Sequence, residues 1–301
     1  KDLTKDNYPN VDDFINADAT KISWGGNLKM DILRFKKYDF DKKSCGYSLY
    51  RPFSKQWMYY NRGFNERVYQ MPNVFPDASF ENRMIYISGS GNSGKDCTAI
   101  IVDVLPDLNL QHSGGQGFPL YLYEANNTPT QANPQGGLFD EPSTPSTTGY
   151  TRRDAITDAG LKHFTDYYTD QSITKEDLFY YIYGLLHSEE YKSKYADNLT
   201  KELPRIPCVK QAADFWAFSK AGRDLAELHI NYETVTPYPV TFDIPLDTLN
   251  PEDFYVKQMK FAKKGEKTTV IYNPKITLKN IPVEAYEYVV NGKPADRKSV
   301  V

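Results

Sequence analysis

Between Ile173 and Pro207 the chain reads ITKEDLFYYIYGLLHSEEYKSKYADNLTKELPRIP, the stretch with the densest apolar periodicity and the clearest start and stop signals. Thr174 stands where an N-cap belongs, with Asp177 three residues on as a weak capping box and Ile173 in front as a hydrophobic staple. Leu178, Phe179, Ile182, Leu185 and Leu186 recur at helical spacing, so one face of this helix must be buried. Ser188 caps a second helix, with Glu189 and Glu190 in the first turn where the helix dipole favours anions. Tyr191, Tyr195 and Leu199 give that helix its inner stripe, and Pro204 and Pro207 forbid its continuation. The pattern predicts an antiparallel helical hairpin leading into a third helix from Gln211 to Leu228, lined by Phe215, Phe218, Gly222, Leu225 and Leu228.

Strands are expected on both sides of this block. Before it they fall at Arg83 to Ser88, Thr98 to Leu105 and Phe118 to Glu124, with a short helix in Ile22 to Asp39 and another from Ala155 to Tyr168. After it they fall at Thr241 to Ile244, Phe254 to Phe261, Thr268 to Tyr272, Lys275 to Leu278 and Tyr286 to Val290, with KKGEK and NGK as turns. Residues 125–150 hold many Pro, Thr, Asn and Gly without periodicity and read as a loop or flexible insertion. The order gives an α+β fold: a β-rich half with basic loops, a central helical bundle and a C-terminal β section. Without βαβ alternation, a doubly wound nucleotide fold is not expected.

Net charge is −3, yet between Lys21 and Arg67 eleven Lys and Arg face four Asp and Glu, a local excess of +7 that can steer a polyanion. Within it, Arg51, Lys55, Asn61, Arg62, Asn65, Arg67 and Gln70 alternate with Tyr50, Phe53, Trp57, Tyr59, Tyr60, Phe64 and Tyr69. Arg pairs bidentately with guanine, Asn and Gln with adenine, and aromatics brace the backbone, so this composition suits duplex DNA. The plainer alternative makes the aromatics core and the polar residues their outward alternates. Lys55, Arg62 and Arg67, with Arg152 and Arg153 after the loop, are candidate phosphate-positioning groups; Asn61, Asn65, Gln70, His112 and Gln116 are candidate readers on turns.

Other chemistry finds little support. GSGNSGKD from Gly89 to Asp96 approaches a phosphate-binding loop, but Asp96 stands where Ser or Thr would hold magnesium, and the β-branched CTAIIVDVL follows instead of a helix. A turn between two strands accounts for its glycines. Asn133-Pro134 and Asn273-Pro274 lack the second proline and aromatic of an amino-methyltransferase tetrapeptide, and Pro76-Asp77 lies too close to Glu81-Asn82-Arg83 for a PD…ExK nuclease. Cys45, Cys97 and Cys208 have no CxxC spacing, and His112, His163, His187 and His229 are scattered, so no disulfide framework or metal site is expected. No run reaches the roughly 20 apolar residues of a membrane helix, and no signal peptide stands at Lys1, so a soluble, cytoplasmic chain is expected.

The helical stretch, followed by DFWAFSKAGRDLAELHINYE, resembles the C-terminal specificity region of Type ISP single-polypeptide restriction-modification enzymes. SLYRPFSKQWMYY from Ser48, VYQMPNVFP from Val68, GFPLYLYE from Gly117 and AYEYVVNGK from Ala285 carry the same resemblance, which covers about Ile22 to Lys293. It implies a module that recognises double-stranded DNA and presents a target adenine to an upstream methyltransferase domain of the same chain. The parent would use S-adenosylmethionine, ATP and magnesium, with no cofactor in this part and no membrane partner. On that basis residues 1–40 are expected to form the seam to the methyltransferase, 41–168 the β-rich recognition part, 169–233 the helical block and 234–301 a truncated C-terminal β section. Two rivals remain at this point: a non-catalytic protein- or glycan-binding module, and a nucleotide-binding enzyme using Gly89 to Lys95.

Overall fold

The computed structural model describes residues 10–18, 21–66, 68–88, 97–111, 114–126, 149–256, 258–290 and 293–294. Helices α1 (Val11–Phe14) and α2 (Gly26–Leu33) precede strands β1 (Cys45–Arg51) and β2 (Ser54–Tyr59), and α3 (Met71–Val74) follows. Strands β3 (Met84–Ile87), β4 (Ala99–Val102), β5 (Leu105–Pro106), β6 (Gln116–Pro119), β7 (Tyr121–Ala125) and β8 (Tyr150–Asp154) come next. The helical block holds α4 (Asp158–Tyr167), α5 (Lys175–His187), α6 (Glu189–Lys194), α7 (Ala196–Leu199) and α8 (Ala212–Ile230). Short strands β9 (Thr241–Phe242), β10 (Lys260–Phe261), β11 (Val270–Ile271), β12 (Thr277–Lys279), β13 (Val289–Val290) and β14 (Lys293–Pro294) end the series. This is the expected α+β class. The described residues of Lys1–Ser48, Gln56–Asn82 and Leu122–Arg153 form one compact unit, and those of Leu49–Lys55, Arg83–Tyr121 and Asp154–Val301 a second.

The second unit is built around α5. Its capping box forms, Thr174 Oγ1 accepting from Asp177 N and Asp177 Oδ2 accepting from Thr174 N, both at 3.1 Å. Beyond the cap, Leu178, Phe179, Tyr180, Tyr181, Tyr183, Leu185 and Leu186 are all buried, so the helix is enclosed on every side. A buried tyrosine needs a partner for its hydroxyl. Tyr181 donates to the Pro207 carbonyl at 2.6 Å, Tyr191 to Arg205 at 2.8 Å and Tyr168 to Val209 at 2.6 Å. Alternate carbonyls of an extended chain point the same way, so the proline-bearing link before α8 serves as a wall of acceptors rather than a loose connection.

Tyr183 ties the layers together. Its hydroxyl accepts from the Ile101 backbone N–H at 3.1 Å and meets His229 Nδ1 at 2.5 Å. Burial holds His229 down to about 4, so the ring is neutral near pH 7 and Nδ1 accepts the Tyr183 proton. Beneath α5, β3 pairs antiparallel with β4 and β6, Ile85 lying opposite Ile101 and Phe118, and every residue of β3 and β4 is buried.

The helix pairing differs from the expected hairpin. α5 packs chiefly on α8, and the two run in the same direction: Ser219 Oγ donates to the Asp177 carbonyl at 2.9 Å, Tyr180 faces Gly222, and the His187 and His229 rings lie 5.8 Å apart at the other end. Two glycines permit the crossing, since a Cβ on Gly222 would lie 2.0 Å from the Tyr180 carbonyl oxygen and one on Gly184 2.3 Å from that of Phe218. The buried stripe of α8 is Phe215, Ser219, Gly222, Ala226 and Ile230, while Leu228 is 53% exposed. Small side chains line this face because the backbones approach so closely. The second predicted helix breaks at Tyr195 into α6 and α7.

Elsewhere in the second unit, β9 to β12 form a four-stranded sheet ordered β10-β11-β12-β9. The strand expected from Phe254 to Phe261 begins instead as a 3-10 turn, Pro251–Phe254, because Asn250 and Asp253 form a reciprocal cap around Pro251. Tyr286 likewise closes a 3-10 turn, Val283–Tyr286, with the strand confined to Val289–Val290.

In the first unit, Leu28, Val74 and Phe75 are buried, and Asn82 Nδ2 donates to the Val74 carbonyl at 2.8 Å. β7 and β8 pair, with Phe80 packed edge-on against Tyr123 and Tyr150. The insertion expected over 125–150 lies outside the described residues from 127 to 148.

Candidate nucleic-acid interface

The turn after β2 is shaped by its own side chains. Asn61 Oδ1 accepts from Gly63 N at 2.8 Å, and Asn65 Nδ2 donates to the carbonyls of Tyr59 at 2.7 Å and Asn61 at 2.9 Å. Arg62 is carried outward at the tip, exposed and without a hydrogen bond or ion pair among the described residues. The turn rests on aromatic rings: Phe64 packs on Tyr38 at 5.0 Å and on Tyr59 at 5.6 Å, and Phe40 stacks on Tyr59 at 5.8 Å. Gly63 lets the Tyr38 ring lie against the turn, since a Cβ there would come within 2.2 Å of that ring and push it aside.

The same cluster holds a second basic turn. Tyr59 Oη accepts from Asp41 N at 2.9 Å, and Asp41 Oδ1 accepts from Lys43 N at 3.0 Å, fixing the Lys42–Ser44 turn before β1. Lys42 and Lys43 are therefore anchored to the rings that support Arg62. Glu66 adds rigidity by accepting from Asn27 N at 3.0 Å, which caps α2. Lys29 pairs with Asp12 at 2.6 Å and Lys36 with Asp31 at 3.3 Å, but Lys21, Arg34, Lys37, Lys42, Lys43 and Arg62 are exposed and make no ion pair among the described residues. Much of the basic excess is thus available to an external anion.

The remaining sequence-predicted residues have different surroundings. Asn61 and Asn65 each commit one amide atom to the turn, Oδ1 and Nδ2 respectively, so neither keeps the pair that a bidentate contact to adenine uses. Arg51, in the second unit, donates to the Tyr50 carbonyl at 2.8 Å, stacks on the Tyr50 ring and lies 3.5 Å from Asp107. These contacts turn the guanidinium toward partners within the fold. Lys55, also in the second unit, stands 5.7 Å from the Tyr232 ring. Gln116 opens β6 with its side chain exposed. In the first unit, Gln70 Oε1 accepts from Asn73 Nδ2 at 2.7 Å beside α3, Arg152 is exposed on β8, and Arg153 pairs with Glu124 at 2.5 Å. Arg67 and His112 lie outside the described residues, as does the glycine-rich 89–96. That segment links β3 to the antiparallel β4, not to a helix.

The charge count includes Lys42 and Lys43 without linking them to the ring cluster under Arg62, and nothing in it singles out Phe40, which is 76% exposed. The signal available in the sequence is Phe40 standing two residues before the Lys42-Lys43 pair. Among the described residues no group of three or more His, Cys, Asp or Glu is placed to hold a metal, and no helix is long and apolar enough to cross a membrane.

The family model described as the Type ISP C-terminal specificity domain matches residues 2–297, so the chain belongs to that family. Among solved structures, the ATP-dependent Type ISP restriction-modification enzyme LlaBIII bound to DNA is 38% identical with a TM-score of 0.73, over 93% of this chain and 17% of that one. A nuclease-deletion mutant of the Type ISP enzyme LlaGI in complex with a DNA substrate mimic is 34% identical with a TM-score of 0.69, over 99% of this chain and 20% of that one. A DrdV–DNA complex solved by electron cryomicroscopy is 33% identical with a TM-score of 0.73, over 92% of this chain and 25% of that one. The chain therefore spans a quarter or less of the length of these neighbours. Comparison with curated proteins returned no match.

Proposed function

We propose that this chain is a target-recognition module for double-stranded DNA within a single-chain restriction-modification enzyme, where it positions a target adenine for an upstream methyltransferase domain. The parent would be cytoplasmic and would need S-adenosylmethionine, ATP and magnesium in its other parts. The observation that carries the reading is the exposed Arg62, without an ion pair among the described residues, on a turn locked by Asn61 and Asn65 and supported by the Tyr59 ring that also anchors the Lys42–Ser44 turn, in a chain of the Type ISP specificity family. In this reading Lys42, Lys43, Lys55 and Arg152 contact phosphates, while Arg62, Gln70 and Gln116 are the candidate readers, with Arg67 and His112 added on sequence grounds. Asn61, Asn65 and Arg51 act as positioning residues. Rigid presentation matters because a bidentate arginine discriminates only when its guanidinium is held at the base edge.

The test is duplex binding by Arg62→Ala. If Arg62 reads a guanine, affinity for the preferred duplex falls by about 1–3 kcal/mol while scrambled duplex is little affected. If it contacts phosphate, the loss is uniform and the salt slope drops by about one. Unchanged affinity and slope would remove Arg62 from the interface. The protein- or glycan-binding alternative is not favoured, and binding that barely responds to salt would revive it.

A further inference from the structure

Between Lys257 and Lys279 the sequence holds seven lysines against a single acidic residue, Glu266. Lys257 is outside the described residues; Lys275 pairs with Asp253, and Lys267 lies 5.4 Å from the Tyr286 ring. Lys260, Lys263, Lys264 and Lys279 are exposed and make no ion pair among the described residues. Asp243, which Lys279 influences, is already committed to the Thr277 N–H at 2.7 Å.

The register of the four-stranded sheet sorts these residues by face. Phe261, Val270, Leu278 and Phe242 lie opposite one another and give the inner face. Lys260 is aligned with Ile271 and Thr277, and Lys279 with Thr241, so both lysines and both threonines share the outer face. β10 and β12 are separated by β11, which puts their side chains about 10 Å apart across the sheet. Gly265, at φ 87°, closes the turn between β10 and β11 and carries Lys263 and Lys264 at its end.

We propose that this outer face is a sequence-independent contact for the phosphate backbone of duplex DNA, made by Lys260, Lys263, Lys264 and Lys279 in addition to the Arg62 turn. The inference rests on the DNA-recognition reading. A protein partner would call for an apolar, desolvated centre with aromatic or arginine anchors, whereas on this face a single half-buried Ile271 lies among threonine hydroxyls and lysines. Lysine is a compact, flexible point charge, suited to phosphate oxygens and poorly suited to bidentate base readout.

The experiment is fluorescence anisotropy of the 301-residue chain on preferred and scrambled duplexes across a salt series, compared with the combined K260A, K263A, K264A and K279A variant. Loss of four contacts lowers the slope of log affinity against log salt by about 3–4, equally on both duplexes. The matching Lys→Arg variant keeps the charge and is expected to keep the slope. Wild-type binding with an unchanged slope in the alanine variant would overturn this inference alone. So would a loss confined to one duplex, or an equal loss in the arginine variant. Failure of the wild-type chain to bind either duplex at low salt would overturn the recognition reading and this inference together.

Discussion

Gly222→Ala probes the helix crossing on which the second unit depends. A Cβ there would lie 2.0 Å from the Tyr180 oxygen, 3.0 Å from the Tyr180 carbonyl carbon and 2.7 Å from the Gly184 nitrogen. All three atoms are backbone, so no rotamer change relieves the clash, and α5 and α8 must separate. Separation stretches every contact across the crossing: the Ser219–Asp177 hydrogen bond, the Tyr181–Phe215 stack at 4.6 Å and the Arg223–Glu176 ion pair at 2.5 Å. Overpacking of this kind costs about 1–3 kcal/mol and here belongs at or above the upper end. Replacing glycine in a helix interior returns about 1 kcal/mol. The net loss is about 2 kcal/mol or more, equivalent to a fall in Tm of about 4–8 °C for a unit of this size. Thermal unfolding followed by far-UV circular dichroism measures it. Gly160→Ala in α4 is the control, expected to be near neutral because its one tight contact, at 3.3 Å, is the tip of the Thr157 side chain. A Gly222→Ala melting point at or above wild type would refute the close-crossing argument.

Thr174→Ala removes one arm of the capping box on α5 and should cost about 1 kcal/mol in urea denaturation, with Thr174→Ser retaining most of it. Tyr183→Phe leaves the buried Ile101 N–H and His229 Nδ1 without their shared hydroxyl, and a loss of about 1–3 kcal/mol is expected from the same measurement. Acid sensitivity follows from His229, whose folded value of about 4 lies below its ordinary 6.5. Between those values the unfolded chain binds more protons, so the contribution from the buried neutral ring is complete above pH 6.5 and disappears as pH falls toward 4. His187, also lowered by burial, acts in the same sense. Denaturation midpoints across that range should fall with acidity less steeply in His229→Gln than in wild type; equal steepness would assign the acid response to other groups.

What the sequence made legible was local. Thr174, Asp177 and Ile173 marked the start of α5 because caps depend on residues three apart, and the apolar spacing that followed marked its burial. The pairing of α5 with α8 was hidden because it rests on backbone contact at Gly184 and Gly222, where apolar periodicity carries no weight. Helical spacing points Leu228 inward for the same reason: periodicity favours the larger side chain, while the crossing selects Ser219 and Ala226. The buried tyrosines were hidden too, since their acceptors are carbonyls of the Arg205–Val209 link. In the candidate interface, composition marks the basic, aromatic segment but not the partners of its side chains. Asn61 and Arg51 look alike in sequence as base readers, yet one is a turn builder and the other is held by Tyr50 and Asp107. Side-chain partnership decides that, and no spacing rule encodes it.

The central claim is tested most directly by selecting bound duplexes from a randomised DNA pool with the purified chain, at low and at moderate salt. The account predicts enrichment of an asymmetric motif of several base pairs, with total binding falling steeply as salt rises. Retention of no duplex at either salt, or binding indifferent to salt, would contradict it.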